Sequence, residues 1–110
     1  MSGRAARRLA AAVLTALGAG ACTDGDPPLS SEGERGRQVY LAQCTACHAS
    51  DPAQPGPLGP PVKGASPELL EARIVRGTYP PGYTPKRPSA VMQPMPNLAP
   101  SIADLAAYLR

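Results

Sequence analysis

Apolar residues recur at helical spacing near the end of the chain, where Ile102, Leu105, Ala106 and Leu109 make one stripe along Ile102–Arg110. A second helix is signalled over 66–76. Ser66 stands at the N-cap position, Pro67 at the first helical position and Gly77 just past Arg76, with Leu69, Leu70 and Ile74 on the face that would meet a core. A third begins at Ser31-Glu-Gly-Glu34, which has the form of a capping box, and runs toward Cys44 with Gly36 and Tyr40 four residues apart on one face. No run alternates β-branched and polar residues as a strand does, so the pattern predicts an all-α chain. Its segments are joined by loops rich in proline, above all Thr78 to Ala99, which holds Pro80, Pro81, Pro85, Pro88, Pro94 and Pro96. A loop of that length without regular structure is uncommon unless it carries function.

The first 21 residues follow another pattern. Arg4, Arg7 and Arg8 precede the uncharged stretch Leu9 to Ala21, which ends in small residues, as in a bacterial secretory signal. Gly20-Ala21-Cys22 matches the end of a lipobox, in which the cysteine is lipidated and becomes the new N-terminus, although Ala19 stands where leucine is usual. Ala19-Gly20-Ala21 equally satisfies ordinary signal peptidase, with its small-x-small requirement. Lipidation is the expectation here. An unpaired exposed thiol is a liability in an oxidising compartment, and the polar residues that follow suit a tether holding a domain off a membrane. The expected organisation is a signal over 1–21, a flexible tether over 22–30 and one domain over 31–110, a size that suits a single small domain. The product would be exported to the periplasm or cell surface and anchored to the membrane through Cys22.

Charge and composition narrow the functions. The net charge of +3 comes from the three leader arginines, and without them eight bases face eight acids. That leaves no basic patch for a nucleic-acid backbone. The apolar run in the leader is too short to span a bilayer, which takes ~20 residues. With neither Phe nor Trp, so short a domain buries little apolar area by itself, and such chains recruit a metal, a cofactor or disulfides.

Cys44-Thr45-Ala46-Cys47-His48 supplies the candidate chemistry. Cys-x-x-Cys-His is the attachment pattern of c-type haem. Two thiols three residues apart can each add to one vinyl group of a single porphyrin, and the adjacent imidazole can then serve as proximal ligand to the iron. A thioredoxin-like redox pair would need a βαβ context, which is absent. A zinc site at Cys44, Cys47 and His48 lacks a fourth ligand, since His48 is the only histidine. A disulfide between Cys44 and Cys47 would staple almost nothing.

From Ser31 to Arg110 the chain resembles the class I cytochromes c, in a small exported bacterial form. The resemblance implies three main helices and proline-rich loops around one covalently bound haem c. It pairs Gly36 and Tyr40 of the first helix with Leu105 and Tyr108 of the last, and attaches the haem through Cys44 and Cys47. Gly59-Pro60-Pro61-Val62-Lys63-Gly64 is similar to the family turn in which a proline carbonyl accepts the Nδ1 proton of the ligand histidine, here Pro60 and His48.

For the sixth ligand the resemblance offers Met92 or Met95. Met95-Pro96 is the commoner dipeptide. Met92 has the better distance to Leu105, and Met92-Gln-Pro-Met-Pro-Asn-Leu98 matches the pattern around such ligands except that Gln93 replaces the usual proline. Met92 is the expected ligand and Met95 the alternative.

With histidine and methionine ligands no position is open for substrate. The resemblance therefore implies a single-electron carrier with no catalytic residues of its own. Its partners would be a dehydrogenase, a quinol-oxidising complex, or a terminal oxidase or reductase. Two other readings are a fixed haem c subunit of a larger dehydrogenase or reductase complex, and a haem sensor or peroxidase-like enzyme lacking a stable methionine ligand.

Overall fold

The computed structural model describes residues 27–110, together with Gly18 and Gly20. Apart from those two glycines, the expected leader over 1–21, Cys22 and the first part of the tether lie outside the described residues. Three helices, and no strands among the described residues, make the fold all-α.

Helix α1 spans Ser31–Gln43. Ser30 caps it, not Ser31. The Ser30 hydroxyl accepts the Gly33 amide at 3.0 Å, and Ser31 is already helical, with its hydroxyl turned to Glu32. Both serines are competent caps. The earlier one places Gly33 at the third helical position, where no side chain crowds the capping oxygen, and it brings Glu32 and Glu34 into the first turn, where the helix dipole favours negative charge. The buried face of α1 is Gly33, Gly36 and Tyr40.

Helix α2, Pro67–Leu70, starts as its sequence demands. Ser66 accepts the Leu69 amide at 3.2 Å and Pro67 occupies a position whose amide needs no partner. It does not continue as a regular α-helix. Glu71–Val75 form a π-helical turn, a wider winding that spacing rules built on 3.6 residues per turn do not anticipate. Gly77 ends the segment with φ +69°, a left-handed conformation that favours glycine. A 3-10 turn over Pro96–Ser101 then leads into α3, Ile102–Leu109, so the proline-rich loop becomes regular again after Met95.

The core is Tyr40, Leu70, Ile74, Leu98, Leu105 and Leu109, with Ile102, Ala106 and Tyr108 packed beside it. Its centre is the crossing of α1 and α3. Gly36 lies directly on the Asp104 carbonyl, and a Cβ there would fall within its carbon and oxygen and 2.9 Å from the Leu105 nitrogen. Arg35 forks onto the two oxygens of Asp104 at 3.0 and 2.9 Å, fixing the helices' register from the solvent side. Tyr40 meets Tyr108 with ring centroids 5.5 Å apart, and its hydroxyl donates to the Ala49 carbonyl at 2.6 Å. Burial pushes the Tyr40 phenol up to about 12, which keeps it a neutral donor.

The crossing should tolerate no side chain at position 36. Gly36→Ala forces backbone apart from backbone, and denaturant unfolding of the holoprotein should show a loss of at least ~1–3 kcal/mol, the usual cost of overpacking. Unchanged stability would mean that the helices can separate freely.

Candidate functional site

The Cys-x-x-Cys-His segment begins where α1 ends. Cys44 is the C-cap and still donates to the Tyr40 carbonyl, after which the chain tightens: the amides of Cys47 and His48 both reach back to the Cys44 carbonyl, at 3.2 and 2.9 Å. Thr45 adds a hydroxyl bond to the Leu41 carbonyl at 2.9 Å. This turn brings Cys44, Cys47 and His48 onto the wall of one cavity.

The loop beyond is folded back onto the same turn. The Cys47 carbonyl accepts the amides of Leu58 and Gly59, and the Gly56 amide closes onto the Gly59 carbonyl. Gly59 is buried against the imidazole of His48, and a Cβ at that position would collide with the ring. A Cβ on Gly56 would likewise strike the backbone of Cys47 and His48. Neither glycine stood out for this role in the sequence; Gly59 was legible only as part of a Gly-Pro turn.

One hydrogen bond fixes the chemistry of the histidine. Nδ1 of His48 lies 2.9 Å from the Pro60 carbonyl oxygen. A carbonyl can only accept, so Nδ1 carries the proton and Nε2 is left with its lone pair for a metal.

The cavity measures about 630 Å³, a volume typical of cofactor sites. Leu70, Ile74, Leu105 and Leu109 give it apolar walls, while Lys63, Arg73, Lys86 and Arg87 border it against a single acid, Glu68. Two thiols, an imidazole with a free nitrogen, an apolar slot and a cationic margin suit a flat apolar macrocycle bearing carboxylates. Burial, reinforced by Cys47, pushes the Cys44 thiol up to about 11, opposite to the lowered values of redox-active pairs. Among the described residues no group of three or more His, Cys, Asp or Glu side chains could hold a metal ion alone.

The two methionines are placed differently. Met92 borders the large cavity together with His48, Cys44 and Cys47. Met95 borders only a smaller space of about 250 Å³, which Met92, Cys44, Cys47 and His48 also line, and its amide is tied to the Ile74 carbonyl at 2.6 Å. Arg73 was missed in the sequence. It reaches from the π turn to the carbonyls of Gly77 and Met92 and lies over the Tyr79 ring. Nothing in its sequence neighbourhood marks it, because the π turn that presents it is itself without a sequence signal.

No curated protein and no solved structure matches this chain. A family model does: that of cytochrome c, over residues 33–110, a span that takes in most of α1, the Cys-x-x-Cys-His turn, the cavity walls and α3. With a haem-attachment motif on the wall of a cofactor-sized cavity and most of the chain matched, this protein belongs to the cytochrome c family.

Proposed function

We propose that the chain is an exported, membrane-anchored carrier of single electrons in which His48 and Met92 would be the protein ligands of a haem iron. Haem c, held covalently in this family, supplies a one-electron ferrous–ferric couple. The observation that carries the reading is that Met92, alone of the two candidate methionines, shares the large cavity with Cys44, Cys47 and His48.

Each residue then has a separable task. Cys44 and Cys47 would hold the haem covalently. His48 donates a hydrogen bond from Nδ1–H to the Pro60 carbonyl, which fixes the tautomer and leaves the Nε2 lone pair for a metal. Gly59 leaves the space that the imidazole fills. Met92 offers a soft thioether, which favours the reduced iron and raises the potential relative to a second nitrogen ligand. Met95 packs beside it as an apolar filler.

Bases and acids balance outside the leader, so net charge gives little steering; contacts rest on the local cationic margin of Lys63, Lys86 and Arg87 and on exposed apolar groups beside the cavity such as Leu58 and Val91. The partners this suits are a dehydrogenase, a quinol-oxidising complex, or a terminal oxidase or reductase, each docked transiently. The lipobox-like Gly20-Ala21-Cys22 supports anchoring through a lipid on Cys22.

Three experiments test this reading. Met92→Leu should keep covalent haem but lose the weak far-red sulfur-to-iron band and lower the midpoint potential by at least ~60 mV, tenfold for one electron. Met95→Leu should keep both; the reverse outcome makes Met95 the ligand. Gly59→Ala pushes a methyl into the His48 ring, so holoprotein yield should fall and its stability should drop by ~1–3 kcal/mol; a normal yield and spectrum would show the ring free to move. On detergent phase separation of the exported protein, the parent should enter the detergent phase and Cys22→Ser the aqueous phase, whereas identical partitioning means plain signal cleavage.

A further inference from the structure

The loop that carries Met92 is fastened to the π turn at two consecutive residues. The Ile74 carbonyl holds the Met95 amide at 2.6 Å. Arg73, half-buried, holds the other end. Its Nη1 donates to the Gly77 carbonyl at 2.8 Å and its Nη2 to the Met92 carbonyl at 3.4 Å. The same guanidinium lies 4.6 Å over the Tyr79 ring, and Tyr79 stacks on Tyr83 with centroids 5.4 Å apart and planes within 9°. One side chain thus joins the end of the π turn, the aromatic pair of the proline-rich loop and the backbone of Met92. Only a planar fork can do this, since an ammonium has no face to lay on an aromatic ring while it spans two carbonyls. The loop has few alternatives. The segment from Thr78 to Met95 contains no helix or strand, and its prolines lack amides with which to make bonds of their own.

We propose that Arg73 is a positioning residue for the sixth ligand: by holding the Met92 carbonyl it keeps the Met92 sulfur on the iron and small external ligands off it. The inference rests on the assignment of Met92 as ligand. An outward swing of the loop backbone at residue 92 would carry the sulfur away. The Met95–Ile74 bond leaves that swing possible, because it fixes the chain three residues further on, whereas the Arg73 bond opposes it directly. Without the bond, the state in which the iron is open to a competing ligand becomes more populated, and the apparent affinity of that ligand rises by the same factor.

The test uses ferric holoprotein and imidazole as the competing ligand, with loss of the far-red band as the readout. Arg73→Met keeps the apolar stem and removes every donor. It should bind imidazole about tenfold more tightly, the equivalent of one weak hydrogen bond to a charged group. Arg73→Lys keeps the charge but replaces the planar fork with one ammonium and should fall between the two. If Arg73→Met yields no holoprotein, the lysine variant carries the comparison. Global unfolding in urea, followed by far-UV circular dichroism, separates local release from general loosening. The proposal is overturned if imidazole affinity is unchanged in both variants, or if it rises only in step with global destabilisation. A shift in potential at constant imidazole affinity also overturns it, and would assign the guanidinium to a haem carboxylate instead. Met92→Leu run alongside separates the two readings. A far-red band that survives there removes the ligand assignment and the proposal with it; a band lost there, with imidazole affinity unchanged in the Arg73 variants, removes the proposal alone.

Discussion

The contact between Gly36 and the Asp104 carbonyl sets how closely α1 and α3 cross, and the cavity inherits its shape from that distance. With the two backbones touching, Tyr40, Leu105 and Leu109 are all but removed from solvent, with exposures of 1, 1 and 2%. These same three residues line the cavity. The crossing therefore makes the core and the cofactor wall out of one set of side chains. A chain with no Phe and no Trp has little else to build with, and the macrocycle completes an interior that the polypeptide leaves open.

The second constraint is the way the chain returns on itself around His48. Three carbonyls organise that return: Cys44 accepts from Cys47 and His48, Cys47 accepts from Leu58 and Gly59, and Pro60 accepts from the imidazole. His48 is held by backbone rather than by a neighbouring side chain. Its tautomer and position then depend on a turn that packs directly on it, because Gly56 and Gly59 leave space that a Cβ would take from the Cys47–His48 backbone and the imidazole.

Much of this was legible in the sequence because the relevant signals are local. Cys44, Cys47 and His48 announce themselves by spacing, and Ser66-Pro67 and Gly77 by capping chemistry. Leu105 and Leu109 follow from periodicity. The Pro60 contact was legible from the turn around it, through resemblance rather than propensity. The parts that were not legible each depend on something non-local or irregular. Ser30 and Ser31 are equal as caps until the room left by Gly33 beside the Ser30 hydroxyl separates them. The π turn over Glu71–Val75 has no residue pattern of its own, so the direction in which it presents Arg73 was invisible. The place of Gly59 against an imidazole appears only when the loop closes.

The absence of indole has an optical consequence. All ultraviolet emission of this chain must come from its four tyrosines, and three of them, Tyr40, Tyr79 and Tyr83, border the cavity, while the fourth, Tyr108, rests on Tyr40. Porphyrins absorb where tyrosine emits, so in the assembled protein each phenol sits within easy range of an energy acceptor. Fluorescence is then dark when the domain is closed and bright when it opens. Because Tyr40 belongs to the helix crossing and Tyr79 and Tyr83 to the proline-rich loop, the chain carries native reporters on two separate walls of the cavity, with no label needed to follow them.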